Sequence, residues 1–99
     1  MPERLTDQQI IDGLRHLPGW RREDDTLLRV LDADDFPAAI RIVSAVAETA
    51  ESMDHHPDID IRWRTLTFRL TTHSEGGLTD KDVQLAGRIN AIVSAQPPA

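Results

Sequence analysis

The chain has 99 residues, 39% of them hydrophobic and 28% charged, which suits one globular domain, so we expect a single domain over residues 1–99. The formal net charge of −6 argues against direct binding to nucleic acid, and without cysteine there is no disulfide, thiolate nucleophile or thiolate metal site. No run approaches the roughly 20 apolar residues of a membrane span, and the N-terminus has no apolar signal region, so we expect a cytoplasmic protein.

The first elements in chain order are a helix and a hairpin. Thr6 is followed three residues later by Gln9, a capping-box pattern, and apolar residues then recur at helical spacing until Pro18-Gly19. Two short strands are predicted next, in "WRRED" and "TLLRVLD", joined by a polar turn at 23–25.

A second helix is predicted from a cap at Asp34 or Asp35 to about Met53, because Pro57 disfavours helix for the residue before it. Its expected buried face carries five apolar residues at helical spacing: Phe36, Ile40, Val43, Ala47 and Ala50.

The period then changes to alternation, which predicts strands in "DIDIRW" and "LTFRLTT". Thr79 with Asp82 resembles a capping pattern for a last helix, whose expected buried residues are Val83, Ala86, Ile89 and Val93. The order αββαββα predicts a two-layer α+β domain, with antiparallel hairpins forming one layer and the helices packed on one face.

The apolar alternation also predicts a register for the second hairpin. With a turn at residues 64–65, Trp63 lies opposite Leu66 on the core side, and Asp60 faces Arg69 on the other side. A slip by one residue would send the apolar residues to the wrong face, which favours this register.

Continued outward, the same register places His56 opposite His73, with Cβ atoms roughly 5 Å apart if pairing persists past Pro57. His55 is adjacent, so three of the four histidines are expected at one end of the hairpin. We therefore predict a functional site there rather than a solvated connection between a helix and a strand.

Two chemistries remain open for three histidines. They can bind a catalytic zinc ion, but His55 and His56 are adjacent and point to opposite sides of an extended chain, which makes a shared ion the less favoured alternative. General acid–base catalysis requires only that imidazoles reach different substrate atoms. Asp82 is explained by helix capping, or it orients a histidine or binds the substrate, and His16 is interpreted as structural.

The segments "DHHPDIDIRWRTLTFRLTTH" and "GLTDKDVQLAGRI" closely resemble the pterin-4a-carbinolamine dehydratase family, and the resemblance extends over nearly the whole chain. It implies a four-stranded antiparallel sheet with three helices on one side. It also implies dehydration of 4a-hydroxytetrahydrobiopterin, or a similar 4a-hydroxytetrahydropterin, to the quinonoid dihydropterin, which recycles the cofactor of aromatic amino-acid hydroxylases.

The resemblance implies that His55, His56 and His73 are catalytic and that Asp82 and Pro57 contact the substrate. Losing hydroxide from C4a requires a proton on the leaving oxygen, while N5 gives one up. Imidazoles can serve as both acid and base, so no metal or other cofactor is needed. We assign His56 and His73 to the acid–base pair and His55 to binding or polarising the pterin.

The resemblance also implies a homodimer or homotetramer. A function of a different class is a non-catalytic protein-binding module, since some relatives act as partners of other proteins or are thought to assist enzyme assembly. The presence of all three histidines and Asp82 favours the enzyme.

Overall fold

The computed structural model describes residues 3–96, and its element order αββαββα confirms the predicted α+β class. The elements are α1 Asp7–Leu14, β1 Trp20–Glu23, β2 Thr26–Asp32, α2 Phe36–Met53, β3 Asp58–Arg62, β4 Thr65–Leu70 and α3 Asp80–Ser94. Residues 1–2 and 97–99 lie outside the described residues, so one domain over 1–99 stays a prediction. Among residues 3–96, no helix combines the length and apolar character needed to cross a membrane.

The strands form one antiparallel sheet in the order β1-β2-β4-β3. Successive side chains of a strand alternate between its faces, and the three buried residues of β4 all point to the same side, toward the helices. They pack into a core that receives residues from every helix. Its largest fully buried apolar residues are Leu27, Val46, Leu66, Phe68, Leu70, Leu85 and Ile89.

The predicted capping box of α1 is confirmed, with the Thr6 hydroxyl accepting from the Gln9 N–H and the Gln9 side chain from the Thr6 N–H. The helix ends at Leu14, earlier than the predicted stop at residue 18. Beyond it the chain tightens, since the amide of Leu17 bonds the carbonyl of Leu14 three residues back, at 3.1 Å. This turn carries Leu17 into the core.

Arg29 lies on the core face of β2 and links the sheet to α3. Its guanidinium and the Trp20 indole N–H both donate to the Asn90 side-chain oxygen. Gly19 has φ +86°, and a Cβ there would lie 2.9 Å from the Arg29 Nε, so this turn requires glycine. Burial lowers the pKa of the Arg29 guanidinium from its ordinary value.

The predicted register of the second hairpin is wrong by two residues. Leu66 pairs with Ile61 rather than with Trp63, and Arg69 faces Asp58 rather than Asp60. A slip by two residues keeps every side chain on its predicted face, so alternation could not distinguish the two registers.

Contacts with β2 explain the observed register. Thr65 extends β4 opposite Asp32, and its hydroxyl donates to the Asp32 carboxylate at 2.6 Å. Arg64 binds the backbone of Ala33 through both its carbonyl and its guanidinium. The loop is therefore Trp63-Arg64, one position earlier than predicted.

Trp63 consequently lies outside the core. It is 71% exposed, has φ 53° in the left-handed region, and stacks against the Arg64 guanidinium 4.9 Å from the ring centroid. A bulky residue in this conformation is uncommon. Nothing in residues 3–96 explains why tryptophan occupies the position.

The predicted bounds of α2 are close to those observed, and Asp35 is the cap. Its predicted buried face is mostly wrong. The buried residues are Ala38, Ala39, Ile42, Val46 and Ala50, whereas Phe36 and Ile40 are 49% and 38% exposed. Apolar residues cover more than half of the helix circumference, so either of two apolar faces could have been the buried one. The sheet packs against the more central of the two.

In α3 the predicted Ala86 and Ile89 are buried, while Val83 and Val93 are only half-buried against the core. Two buried residues were not predicted in this face, Leu85 and Asp82. A carboxylate that is fully buried in the first turn of a helix requires polar partners, and those partners define the site described next.

Candidate functional site

The end of α2 points His55 into the protein. Asp54 adopts the left-handed conformation (φ 49°, ψ 44°), which stops the helix. The amide of His55 then bonds back to the Ala50 carbonyl at 3.0 Å, which closes the helix end. The chain turns inward as a result, and His55 is only 8% exposed.

Asp82 meets this histidine in the interior. Its Oδ1 lies 2.6 Å from the Nε2 of His55, and the carboxylate is fully buried in the first turn of α3. Its Oδ2 accepts from the Thr79 amide at 2.9 Å and from the Thr72 hydroxyl at 2.7 Å. Asp82 therefore caps α3 and orients a histidine at the same time.

The contacts of Asp82 determine which imidazole nitrogen carries the proton. An ionised carboxylate only accepts hydrogen bonds, so the Nε2 of neutral His55 must be the protonated nitrogen. Its Nδ1 then holds the lone pair. Within residues 3–96 Nδ1 has no hydrogen-bond partner. Every fully buried side-chain nitrogen and oxygen there has a partner, so Nδ1 is not fully buried.

His56 points the other way, as expected for adjacent residues. Its side chain is 58% exposed, and its Nε2 lies 2.8 Å from the Glu51 Oε2 in the last turn of α2. Pro57 follows, half-buried, and leads the chain into β3. His56 thus has its own carboxylate partner on the surface beside the buried pair.

His73 opens a 3₁₀ turn at residues 73–75, just beyond the end of β4, and is exposed. Paired amides and carbonyls of Thr72 and Gly77 close the loop, with the Thr72 amide 3.1 Å from the Gly77 carbonyl. Gly76 has φ 68°, the left-handed conformation that such a tight loop needs.

The reason given for the convergence of His56 and His73 is wrong. The ladder ends at Asp58 and Arg69, so neither histidine belongs to a paired strand, and the true register would align His56 with Thr71. The predicted cross-strand pairing of His56 with His73 does not form.

Asp82 instead links the two segments that carry the histidines. Its two oxygens bind His55 and Thr72, whose chain neighbours are His56 and His73. Since consecutive Cα atoms are about 3.8 Å apart, the backbones of all three histidines meet around this carboxylate. The site is therefore formed by the end of α2, the loop after β4 and the start of α3.

Among the described residues 3–96, no three or more His, Asp or Glu side chains are arranged to hold a metal ion. His55 engages a buried carboxylate and His56 an exposed one, so the adjacent histidines do not converge. His16 lies in the exposed turn after α1.

Sequence reasoning missed two residues of the site, Thr72 and Glu51. Thr72 continues the inward alternation of β4 beyond Leu70, so a polar side chain there had to find a buried polar partner. That signal was available in the sequence. The Glu51 carboxylate binds His56 although it is 80% exposed.

A cavity of about 240 Å³ lies near the start of α2, at the opposite end of this helix from His55. None of the three clustered histidines lines it. Its walls are formed by Leu31, Asp32, Ala33, Asp34, Ala38, Ile42, Val93 and Gln96.

Comparison with known sequences identifies the family of the chain. The sequence profile of the family described as pterin 4 alpha carbinolamine dehydratase matches residues 3–92. A protein of Mycobacteroides abscessus is 60% identical over 89 residues, and one of Nocardia farcinica is 54% identical over 90. These alignments cover 90% and 91% of the chain and 95% of each relative, and the names of both relatives assign them provisionally to pterin-4-alpha-carbinolamine dehydratase.

Solved structures share the fold. A Brucella melitensis protein described as a transcriptional coactivator/pterin dehydratase superposes with a TM-score of 0.90 at 33% identity, covering 92% of this chain and 99% of its own. A pterin dehydratase-like RuBisCO assembly factor of the alpha-carboxysome, at 18% identity, shares the fold with a TM-score of 0.67 over 82% of this chain and 96% of its own. On the match to residues 3–92 and the identities above 50%, the chain belongs to the pterin-4a-carbinolamine dehydratase family.

Proposed function

We propose that the protein dehydrates 4a-hydroxytetrahydropterins, including 4a-hydroxytetrahydrobiopterin, to the quinonoid dihydropterin. By this activity it would recycle the cofactor of aromatic amino-acid hydroxylases, in the cytoplasm. The observation that carries the proposal is the buried pair of His55 and Asp82 beside two further histidines. Family membership supplies the substrate class.

We assign the base to His55, which differs from the assignment made from sequence. Its Nδ1 holds a lone pair and is not fully buried, so it can take the proton from N5 as the C4a=N5 bond forms. The imidazolium produced lies 2.6 Å from the Asp82 carboxylate, which stabilises the charge. Asp82 itself is fully buried, so it acts through His55 rather than by touching the pterin.

The leaving oxygen needs the second proton. As the C4a–O bond breaks, its electron pair goes to oxygen, which takes a proton from His56 or His73 and departs as water. Both imidazoles are exposed beside the buried pair, and His56 is held by Glu51. Pro57 separates His56 from β3 and is the residue proposed to pack against the pterin. Solvent then returns both histidines to their starting states.

The direct test is turnover of chemically generated 4a-carbinolamine, followed by its ultraviolet absorbance. We expect the rate to rise in proportion to protein concentration. A rate equal to that of buffer alone would leave the protein-binding module as the better candidate.

Replacing His73 with alanine is expected to slow dehydration by about 10²–10⁴-fold, the usual contribution of a general acid or base. The imidazole is exposed and has no hydrogen-bond partner within residues 3–96, so stability should not change. Steady-state rates of His73→Ala and of the control His16→Ala, an exposed histidine outside the site, make the comparison. An unimpaired His73→Ala protein would remove this residue from the mechanism.

The second candidate is a protein-binding or assembly module. This candidate is suggested by the Brucella melitensis protein, which is described as a transcriptional coactivator as well as a dehydratase. An apolar stripe on α2 also favours association, because Phe36, Ile40, Val43 and Ala47 are spaced four, three and four residues apart, as in paired helices. The two functions are compatible.

We propose that this α2 stripe joins copies of the chain into a homodimer or homotetramer. Light scattering after size exclusion should give two or four times 11.1 kDa. Ile40→Glu should lower that mass, because it puts a charge in the stripe. The matched control is Ile11→Glu, at an exposed isoleucine of α1. A wild-type monomer, or an Ile40→Glu protein of unchanged mass, would contradict the proposal.

A further inference from the structure

Two buried threonines extend the interior network beyond His55 and Asp82. Thr72 and Thr79 are 5% and 0% exposed, and their hydroxyl oxygens lie 2.8 Å apart. The Thr72 hydroxyl also lies 2.7 Å from the Oδ2 of Asp82. The mechanism above uses neither hydroxyl.

The direction of each hydrogen bond in this network follows from counting protons. The Asp82 carboxylate can only accept, so the Thr72 hydroxyl must donate its one proton to Oδ2. The Thr79 hydroxyl must then donate to the Thr72 oxygen. The Thr79 amide is the second donor to Oδ2. Both donors are directed at one oxygen of Asp82, which leaves Oδ1 for His55.

We propose that Thr72 is a positioning residue that holds Asp82 in the orientation required for His55 to keep its proton on Nε2. Its hydroxyl secures Oδ2, so that Oδ1 faces the imidazole and the Nδ1 lone pair faces the substrate. The role in turnover rests on the proposed function, but the position of the proton on the free protein does not.

Thr72 also connects the loop that carries His73 to the buried pair of Asp82 and His55. Its backbone closes the loop that carries His73, through the pair of hydrogen bonds with Gly77. Its side chain ties that loop to Asp82 and therefore to His55. Loss of the hydroxyl removes one of the two donors to Oδ2 and leaves that oxygen held by the Thr79 amide alone. Rotation of Asp82 would then release the imidazole from its single tautomer.

The test compares Thr72→Val, which removes the hydroxyl, with Thr72→Ser, which keeps it. The matched control is Thr71→Val, because the neighbouring hydroxyl donates to the Asp25 carbonyl, outside the network. Nitrogen-15 NMR of the His55 ring in the free protein reports the tautomer, and steady-state kinetics separate kcat from KM. Thr72→Ala is a second variant without the hydroxyl, for use if valine does not fit.

We expect the Nε2-protonated tautomer in the wild type, in Thr72→Ser and in Thr71→Val. In Thr72→Val or Thr72→Ala the ring should populate the Nδ1-protonated tautomer, and kcat should fall roughly 10–100-fold with little change in KM. Serine should restore both readouts.

A wild-type ring protonated on Nδ1 would overturn the proposal, as would a folded variant lacking the hydroxyl with unchanged tautomer and unchanged kcat. If the tautomers behave as expected but the wild-type protein does not turn over the carbinolamine, the positioning role stands and the proposed function fails.

Discussion

Asp82→Asn is expected to slow dehydration by about 10²–10⁴-fold while preserving the shape of the side chain. The amide has one oxygen and one NH₂ group. Its NH₂ cannot face the Thr79 N–H, since both are donors, so it must face the Nε2 of His55. That nitrogen then has to accept, the proton moves to Nδ1, and the lone pair that would take the N5 proton is lost.

The stability of the same variant provides an internal check. Replacing one acceptor of a buried hydrogen-bond network should cost about 1–3 kcal/mol of the free energy of unfolding, measured by denaturant titration. The kinetic loss should therefore be compared below the melting temperature of the variant. A folded Asp82→Asn protein with the wild-type kcat would restrict Asp82 to capping α3.

His55→Ala is expected to reduce kcat by about 10²–10⁴-fold as well, because it removes the proposed base. The more specific expectation concerns the double variant His55→Ala/Asp82→Asn. Since the carboxylate is proposed to act only through the imidazole, its loss should cost little once His55 is gone. Steady-state rates of the wild type, both single variants and the double variant form the cycle.

His16→Ala is the control for this cycle and should retain the wild-type rate, since His16 lies outside the site. If the losses of the two single variants multiply in the double variant, Asp82 acts independently of His55, and the pair does not function as a unit.

Local signals predicted the elements of the fold well, because each rests on chemistry between neighbouring residues. The Thr6 and Gln9 capping box starts α1 as expected, and alternation identified β3 and β4. The prediction of the hairpin register was wrong because the register depends on contacts between residues that are distant in sequence. The bond from Thr65 to Asp32 draws Thr65 into β4, and nothing near residue 65 in the sequence reveals it.

The prediction of the buried face of α2 was wrong for a related reason. Its apolar arc is wide enough to offer two stripes, and only the packing of the sheet and α3 decides which one is covered. Phe36 and Ile40 belong to the uncovered stripe. Contiguous exposed apolar patches are typical of association surfaces, which is why we propose that this stripe joins copies of the chain.

The grouping of the histidines was predicted from a cross-strand pairing of His56 with His73 that does not form. What brings their backbones together is the carboxylate of Asp82, which sequence reasoning had assigned to capping, orienting a histidine or binding substrate. The position of Thr72 in the inward alternation of β4 was the available clue, because a buried hydroxyl needs a partner.

The most direct test of the central claim, that Asp82 orients His55 as the base of a three-histidine site, is a crystal structure with a bound pterin. We expect the His55 Nδ1 within about 3.2 Å of the pterin N5, with His56 or His73 near C4a. A pterin bound away from His55, or with N5 beyond the reach of Nδ1, would contradict it.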